Sequence, residues 1–385
     1  MSRITRSLED ELPCPRSWIP LSSVRLAIVG CSVARQRYGH ALQATAGLQV
    51  TSLADSDNRS VRAWARELGG SISLFPDFSS ALDSDPPPNA VLIASPLPVR
   101  AEAILAAASR GMAILCDPPF ASTIEETDAL LQTVAETGVL LLPSLPRRFD
   151  PIFQLPGDVN ADNSPGTLYQ VRCEWRFPTH RTFAAEIGAD IETGNWGALL
   201  EYVATQTTNL SRAWLGNAIS VSGDILEPGS LSVTSTAKVR PGRVSELANI
   251  IVTHERGHSS HHFSNAHSVL SAEKYLLTGD LGRLEIIASP GSAASTAASR
   301  PSLAIYRNGS RHEVGSSDEE ATESADESRS RAMLAHFSEC ARGLCDPLVF
   351  GEDARAAQEI VHAAYLSSQE GHKVTLPLRR SPVRG

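Results

Sequence analysis

A glycine, a serine and an acid near the start of the chain have the spacing of a dinucleotide site. The apolar run 24–29 ends at Gly30, where a turn leads into a helical segment. A glycine here permits a tight turn, and the amides of the helix that follows can approach a pyrophosphate. Asp55 ends the next apolar run, at roughly the 20-residue spacing at which an acid binds ribose hydroxyls. The pattern predicts a nucleotide site that includes Gly30, Ser32, Val33 and Asp55.

The turn departs from the Gly-x-Gly-x-x-Gly pattern at two positions. Ser32 replaces the second glycine; it is small, and its hydroxyl can donate to a phosphate oxygen. Arg35 replaces the third and must point away from the helix–strand contact. The charge of Asp55 repels a 2′-phosphate and so favours NAD over NADP, a preference that Ser56 and Arg59 could weaken. A helix cap is the alternative role for Asp55.

The elements that position these residues alternate between strand and helix. Short apolar runs, each followed by a helical segment, recur over the first 145 residues. Such alternation predicts a parallel sheet with helices on both faces. The predicted strands cover 24–29, 48–54, 90–94, 112–116 and 139–142.

The second half has the pattern of an α+β domain. Alternation over 167–177 predicts a strand, 197–215 predicts one long helix, and several strands with Gly, Pro and Ser between them follow over 219–287. These signals favour an open, mostly antiparallel sheet backed by a helix. Two closing helices are expected over 331–344 and 352–369. The predicted fold class is therefore α/β followed by α+β.

The same patterns divide the chain into four parts. Residues 1–23 are expected to form an extended or disordered arm, and 379–385 a short tail. A nucleotide-binding domain is predicted over 24–145, and an α+β substrate and oligomerisation domain over 146–378. The acidic, serine-rich run at about 309–328 predicts a solvated loop.

Composition excludes several classes of function. A chain of 385 residues with 42% hydrophobic residues can bury two cores. Its net charge of −9 argues against nucleic acid or an anionic membrane as a partner. The apolar runs are too short to cross a bilayer. The polar N-terminus has no apolar segment of the kind found in signal peptides, so we expect a cytoplasmic protein. The six cysteines form no Cys-x-x-Cys pairs, and we expect them to be reduced thiols.

Seven short motifs occur in a characteristic order along the chain. They are Ala-Ile-Val-Gly at 27–30, Leu-Ala-Asp at 53–55, Leu-Ile-Ala-Ser-Pro at 92–96, Pro-Arg-Arg-Phe-Asp-Pro at 146–151, Trp-Gly-Ala-Leu-Leu at 196–200, Gly-Asp-Leu-Gly-Arg-Leu at 279–284 and Gly-Glu-Asp-Ala-Arg-Ala-Ala at 351–357. Their order resembles the Gfo/Idh/MocA family of glucose–fructose oxidoreductases and inositol dehydrogenases, over about 24–376. The resemblance implies a Rossmann domain, then an α+β domain whose sheet joins homodimers or homotetramers. It also implies NAD or NADP as cofactor and a sugar-like, cyclitol or imine substrate.

The resemblance extends the expected cofactor site. The family's Thr-Pro-x-x-x-His corresponds to Ser95, Pro96 and Arg100, and its Glu-Lys-Pro corresponds to the Asp-Pro-Pro that begins at Asp117. All four residues are expected to lie near the cofactor. Pro118 stands where the family has the lysine that polarises the reacting hydroxyl.

The long helix carries a second departure from the family. Its Asp-x-x-x-His corresponds to Glu201 and Thr205, which share one helical face. One helical turn further on, the family has another acid where this chain has Thr208. Alcohol oxidation needs a base, and neither proline nor threonine titrates near neutral pH. Glu201 in a buried setting, or His180 in the preceding loop, could take that role; His180 could equally be an exposed loop residue.

Three functions follow from these residues. The first is an NAD(P)-dependent oxidoreductase with relocated acid–base groups. Reduction of an imine would depend less on the missing lysine than oxidation of an alcohol does. The second is a catalytically degenerate binding or scaffold protein that keeps the fold. The third is a hydrolytic or elimination reaction that uses a tightly held cofactor. The choice depends on the site and not on the fold.

Three other clusters have competing interpretations. The five histidines between 254 and 267 would be divided between two strand faces, which favours a polar sheet edge or a subunit interface over a metal site. Arg147 and Arg148 could bind an anion as planar forks or form salt bridges. Cys340 and Cys345 are expected to be core thiols. No metal site is predicted.

Overall fold

The computed structural model describes most of the chain and contains two sheets. The described residues are Trp18, 20–158, 165–178, 198–226, 247–265, 267–288, 302–313 and 325–378. His180, the tail 379–385 and most of the predicted N-terminal arm lie outside them. No helix in these ranges is long and apolar enough to span a membrane.

Six parallel strands form the first sheet. They are β1 (Val24–Val29), β2 (Leu48–Ala54), β3 (Ser73–Phe75), β4 (Ala90–Ile93), β5 (Ala113–Cys116) and β6 (Leu141–Pro143). Their order is β3-β2-β1-β4-β5-β6, so the winding direction reverses between β1 and β4. The predicted Rossmann sheet is confirmed. Only the three-residue β3 was missed, because so short a strand leaves no periodic signal.

Five helices cover the two faces of this sheet. They are α1 (Cys31–Ala44), α2 (Asn58–Leu68), α3 (Phe78–Leu82), α4 (Leu97–Ser109) and α5 (Ile124–Thr137). Every residue of β4 and β5 is buried, as expected for central strands with helices on both sides. At the start of α5, Thr123 and Glu126 form a reciprocal capping box, and Gly138 ends the helix in the left-handed conformation.

Nine strands form the second sheet. They are β7 (Leu168–Pro178), β8 (Ala218–Leu226), β9 (Leu247–His254), β10 (Ser259–Asn265), β11 (His267–Gly279), β12 (Arg283–Ala288), β13 (Ser302–Arg307), β14 (Ser310–Glu313) and β15 (Val374–Thr375). The order is β14-β13-β12-β11-β7-β10-β9-β8-β15. Neighbours are antiparallel except β7 and β10, which are parallel. This confirms the predicted mostly antiparallel sheet.

Among the residues that the structure describes, helices pack on one face of the second sheet, and side chains on the other, open face are exposed. The helices include α6 (Pro151–Asp158) and α7 (Ala198–Leu215), and two more helices close the chain, α8 (Ala325–Ala341) and α9 (Gly351–Glu370). Ile250 and Val252 of β9 are buried with the inner side of α9, whereas Ile251 between them is exposed. This alternation is that of a sheet with one covered face.

Both ends of the predicted acidic loop belong to other elements. Residues 310–313 form β14, and α8 begins at Ala325 instead of at 331. Asp326 and Glu327 lie in the first turn of α8, where the helix dipole favours carboxylates, so the end of the acidic run belongs to the helix. Residues 314–324 lie outside the described ranges.

The last two helices connect the two sheets. Met333, Leu334 and Phe337 of α8 are buried in the same apolar core as Leu26 of β1 and Tyr38 of α1. From α9, the amide of Gln358 donates to the carbonyl of Ala121 and accepts from the hydroxyl of Thr127, both at 2.8 Å. The chain therefore returns to the first sheet after it has built the second.

Candidate cofactor and active site

The strands of the first sheet end at one common edge. Because β1, β2, β4, β5 and β6 are parallel, the residues that follow them lie at the same edge of the sheet. In open α/β sheets ligands bind outside these carboxyl ends, where the winding reverses. The residues in question are Gly30, Asp55, Ser95, Asp117 and Ser144.

Gly30 follows β1 and packs against the backbone that follows β4. It has φ of 87° and opens α1 without a side-chain cap. A Cβ on this residue would lie 2.4 Å from the carbonyl oxygen of Ala94, so no other residue fits without a backbone shift. The turn therefore brings the amides at the start of α1 to the reversal point, as phosphate binding requires.

Asp55 lies beside the same helix start. Its Oδ2 accepts a hydrogen bond from the Ser32 amide at 3.2 Å, and its Oδ1 accepts one from the Asp57 amide at 3.0 Å. The carboxylate thus reaches the first turn of α1 across from the end of β2. Both roles considered for this residue, ribose ligand and helix cap, are compatible with that position.

The loop after β4 contains a buried hydroxyl and a buried guanidinium. Ser95 is 3% exposed, and its Oγ has no hydrogen-bond partner among the described residues. Arg100 donates from Nε and Nη2 to the Ser95 carbonyl, at 3.0 and 2.6 Å, and from Nη1 to the Pro119 carbonyl at 2.7 Å. Pro96 is the residue before α4. Arg100 therefore fixes the loops after β4 and β5 to each other.

Asp117 is bonded to protein donors on both oxygens. Its Oδ1 accepts from the Tyr38 hydroxyl at 2.5 Å and its Oδ2 from Arg37 Nη1 at 2.7 Å. Ser144 Oγ lies 2.6 Å from the Tyr38 oxygen and donates to it, since the Tyr38 proton points to Asp117. Burial, followed by the charge of Asp117, raises the pKa of Tyr38 well above its ordinary value. This phenol stays protonated, and Asp117 anchors the Asp-Pro-Pro turn to α1.

The family's two proton-handling positions hold residues that do not titrate. Pro118 is half-buried after β5, and Thr205 in α7 is 2% exposed. The hydroxyl of Thr208, one turn on, donates to the Ala204 carbonyl at 2.6 Å. Glu201 lies one turn before Thr205 in α7, but its side chain is outside the described part of the structure, as is all of His180.

Two amides in α7 were missed in the sequence. Gln206 donates to the Ser144 carbonyl at 3.4 Å, and Asn209 accepts from Arg148 Nη1 at 3.1 Å. The other polar atom of each amide, Oε1 of Gln206 and Nδ2 of Asn209, is buried without a hydrogen-bond partner in the described residues. The signal was present: 205–209 reads Thr-Gln-Thr-Thr-Asn, a wholly polar helical turn that is buried throughout.

The neighbouring arginines have different roles. Arg147 is 4% exposed, and its guanidinium donates hydrogen bonds of 2.6 and 3.1 Å to the two carboxylate oxygens of Glu273. Arg147 therefore forms a buried salt bridge. Burial lowers the pKa of Arg148, whose guanidinium holds Asn209. Of the two, Arg148 lies beside the unpartnered amides of α7.

Two of the clustered histidines are buried and not at an edge. His254 Nδ1 donates to the Gly216 carbonyl at 2.8 Å, so its Nε2 accepts from the Ser260 hydroxyl at 2.7 Å. His262 Nε2 then donates to Ser260 Oγ at 2.8 Å, and its Nδ1 accepts from the Thr207 hydroxyl at 2.9 Å. The predicted sheet edge or interface is wrong for both histidines, because β9 and β10 are internal strands and this chain of donors satisfies the two rings.

Comparisons with known proteins agree with this architecture. Residues 24–144 match the model of the oxidoreductase family with an NAD-binding Rossmann fold, Gfo/Idh/MocA. The D-apiose dehydrogenase of Paraburkholderia graminis is 25% identical over 356 residues, which cover 91% of this chain and 89% of that protein. The NAD⁺-dependent scyllo-inositol 2-dehydrogenase of Bacillus subtilis is 31% identical over 133 residues, 34% of this chain and 38% of that protein.

Solved structures share the whole fold. An oxidoreductase from Agrobacterium radiobacter, in complex with NAD⁺, L-tartaric acid and magnesium, superposes with a TM-score of 0.74 at 17% identity, over 92% of this chain and 98% of that one. A myo-inositol dehydrogenase from Corynebacterium glutamicum gives a TM-score of 0.70 at 18% identity, over 92% and 99% of the two chains. At these identities the likeness extends to the fold.

Proposed function

Since the chain belongs to the Gfo/Idh/MocA family of NAD(P)-dependent oxidoreductases, we propose that it transfers hydride between NAD and a polyhydroxylated small molecule. The cofactor lies along the carboxyl edge of the first sheet, and the substrate lies between that edge and α7. The Gly30 turn carries the proposal, because its close approach to Ala94 has no other evident use. The relatives named for D-apiose and scyllo-inositol support a sugar or cyclitol as substrate.

Three residues support binding of the dinucleotide. Gly30 opens the start of α1 to phosphate, Asp55 is in reach of a ribose beside it, and the unpartnered hydroxyl of Ser95 is available at the reversal point. When bound, the nicotinamide supplies the hydride acceptor or donor. The acid at position 55 opposes a 2′-phosphate, so NAD is preferred to NADP.

The residues of α7 support recognition of hydroxyl groups. The unpartnered Oε1 of Gln206 can accept from a substrate hydroxyl, and the unpartnered Nδ2 of Asn209 can donate to one. Buried amides of this kind discriminate strongly for a hydroxylated ligand, because an apolar ligand would leave them unpaired. Glu201 or His180 accepts the substrate proton, since Pro118 and Thr205 cannot.

Cofactor titration tests the first half of the proposal. Calorimetry or tryptophan fluorescence should show tighter binding of NADH than of NADPH to the full-length protein. Gly30→Ala should weaken NADH binding at least ~10-fold, because the backbone turn must open to relieve the contact with Ala94. Gly111→Ala is the matched control: Gly111 also has positive φ, at 69°, but has nothing within 4 Å of its Cβ position.

A substrate panel tests the second half. The absorbance of reduced nicotinamide should change with at least one pentose, cyclitol or cyclic imine, and Glu201→Gln should lower kcat by ~10²-fold or more if Glu201 is the base. Tight NADH binding with no turnover on the panel would favour the catalytically degenerate alternative, which the missing lysine and histidine support. Absence of nucleotide binding would contradict both.

Assembly and cell compartment complete the proposal. The open face of the second sheet exposes Ile251 and Ile287, 38% and 44% exposed, which suits contact with a second copy in a homodimer or homotetramer. The five described cysteines form no disulfide, which supports action in the cytoplasm, where thiols stay reduced.

A further inference from the structure

One imidazole and two thiols meet at the C-terminal end of α8. Cys340 Sγ lies 3.3 Å from His336 Nε2 and 3.2 Å from Cys345 Sγ, and Cys345 Sγ lies 3.7 Å from His336 Nδ1. His336 and Cys340 are one turn apart on the helix, and Cys345 follows its end. As predicted, Cys340 and Cys345 are core thiols, Cys340 within the apolar core and Cys345 packed against it, but their convergence with His336 was not predicted. It was missed because no Cys-x-x-Cys spacing marks it.

The backbone around the cluster is well supported. The amides of Gly343 and Leu344 donate to the carbonyls of Cys340 and Glu339, both at 2.9 Å, and so turn the chain back on the helix. The Trp18 indole donates to the Cys340 carbonyl at 3.0 Å. The main chain that carries the end of α8 and the turn after it is therefore held in place by hydrogen bonds.

The chemical state of His336 suits a ligand. The Leu348 amide donates to its Nε2 at 3.0 Å, so that nitrogen carries a lone pair. Leu348 is 39% exposed, so water can replace the ring as the partner of its amide when the lone pair is used elsewhere.

The charge around the cluster favours a cation. Glu339 and Asp346 are both close enough to act electrostatically on Cys340. Cys345 is half-buried, so an ion has access from solvent. The site lies beside the segment that enters β1, where the Leu21 amide bonds the Ala341 carbonyl, whereas the proposed cofactor site lies where β1 ends.

We propose that His336, Cys340 and Cys345 bind a zinc ion. Two sulfurs and an imidazole nitrogen form a borderline-to-soft donor set, which selects Zn²⁺ over the oxygen-seeking Mg²⁺ and Ca²⁺. Three protein ligands leave the fourth tetrahedral position to water or a carboxylate. The ion links the end of α8 to the turn that leads into α9. It is a structural metal site, separate from the cofactor site.

The distances favour a metal over a disulfide. A tetrahedral zinc with Zn–S bonds of ~2.3 Å places its sulfurs ~3.8 Å apart, so Cys340 and Cys345 need to separate by about half an ångström. A disulfide would require them to close by about 1.2 Å, to ~2.05 Å. A disulfide would also not involve His336, although its ring nitrogens lie 3.3 Å from Cys340 Sγ and 3.7 Å from Cys345 Sγ.

Cobalt substitution tests the site directly. Full-length protein, reduced and freed of metal, should bind one equivalent of Co²⁺ with thiolate-to-cobalt charge-transfer bands and the intense visible bands of a tetrahedral ion. One equivalent of Zn²⁺ should displace it and raise the Tm. His336→Asn and Cys345→Ser should each weaken Co²⁺ binding at least ~10-fold, as expected on loss of one ligand. The controls Cys173→Ser and His372→Asn, which remove a thiol and an imidazole elsewhere, should leave the affinity unchanged.

Three outcomes would overturn the proposal. One is a folded wild-type protein, by circular dichroism, that takes up no Co²⁺ or Zn²⁺; this measurement does not depend on any variant. Another is an unaltered cobalt spectrum in both ligand variants. The third is mild peroxide treatment that links Cys340 to Cys345, found by mass spectrometry, in a protein that binds no ion when reduced, since the pair would then be a redox dithiol. NADH binding is expected to be the same with and without zinc, so the two proposals fail independently.

Discussion

The two sheets place their polar residues in opposite ways. In the first sheet the central strands β4 and β5 are wholly apolar, and polar groups such as Asp55 and Ser95 follow the strand ends. In the second sheet polar groups lie within the sheet itself: Glu273 and His262 are buried inside β11 and β10, and the buried His254 ends β9. Both arrangements bring charged or hydrogen-bonding groups together. Among the described residues, the buried Ser95 hydroxyl at the edge of the first sheet has no hydrogen-bond partner, whereas Glu273 and His262 inside the second sheet are hydrogen-bonded.

The difference separates groups that serve a ligand from groups that serve stability. The buried groups of the second sheet are matched to one another, as in the pairing of Glu273 with Arg147 and the donor chain through Ser260. The carboxyl edge of the first sheet, in contrast, holds the buried Ser95 hydroxyl, which has no hydrogen-bond partner among the described residues. Substitutions in the second sheet should therefore change unfolding and spare cofactor binding, and substitutions at the edge should do the reverse.

The largest effect is expected at Glu273. Glu273→Gln leaves the buried Arg147 without its counter-charge and should lower the free energy of unfolding by about 3–5 kcal/mol. Urea denaturation measures this, and the NADH affinity of the folded protein should be unchanged. Glu313→Gln removes an exposed partner of Arg311 and is the control, with no expected shift in the urea midpoint. Equal destabilisation by both variants would contradict the special role of the buried pair.

Acid should destabilise the protein through the buried histidines. Burial, then the charges of His254 and His261, lowers the pKa of His262 to about 3, while the unfolded chain titrates near its ordinary value of 6.5. The unfolded state therefore binds protons first as the pH falls. Stability should be full above pH 6.5 and decline between 6.5 and about 3, by at most ~1.4 kcal/mol per pH unit for each such histidine.

Urea midpoints recorded down this pH range measure the effect. His262→Gln keeps a neutral side chain and should flatten the decline. A wild-type midpoint that does not move from neutral pH to about pH 4 would contradict the neutral, fully bonded state of the pair.

At Asp55 we expect a smaller effect of the opposite kind, in which NADH affinity falls and stability changes little. Asp55→Ala should weaken NADH binding by roughly 10-fold, which corresponds to loss of one charge-assisted hydrogen bond, and should narrow the preference over NADPH. The urea midpoint should change little. Asp83→Ala removes an acid that follows α3, away from the carboxyl edge of the sheet. It should alter neither the NADH affinity nor the NADPH affinity. An unchanged NADH affinity in Asp55→Ala would indicate that Asp55 serves as a cap alone.

The smallest effect on unfolding is expected on the open face of the second sheet. Ile287→Lys places a charge where the side chain is already 44% exposed, and the stability of the monomer should change by no more than about 0.5 kcal/mol. Light scattering should nevertheless show a lower molar mass than for the wild type. An unaltered mass would mean that this part of the face is not the contact.

The first sheet was predictable because local signals determine it. Apolar runs ending in glycine or an acid indicate both the strands and their binding edge, and Gly30 and Asp55 stand out from spacing alone. The burial of Glu273 depends on Arg147, 126 residues away in sequence. The donor chain through His262 likewise depends on Thr207, 55 residues away, so no short window of sequence predicts it. The three residues of the His336 cluster lie close together in sequence, but no Cys-x-x-Cys spacing marks them.

The packing of α8 on α1 has a consequence for synthesis of the chain. A ribosome completes every strand of the nucleotide-binding sheet long before it makes Met333, Leu334 and Phe337, which cover the apolar surface beside α1. Until then that surface is open to water and to other nascent chains. A stop codon just before α8 should therefore yield an aggregating fragment even though the sheet itself is whole, and a chaperone that shields α1 would be needed most in the last moments of translation.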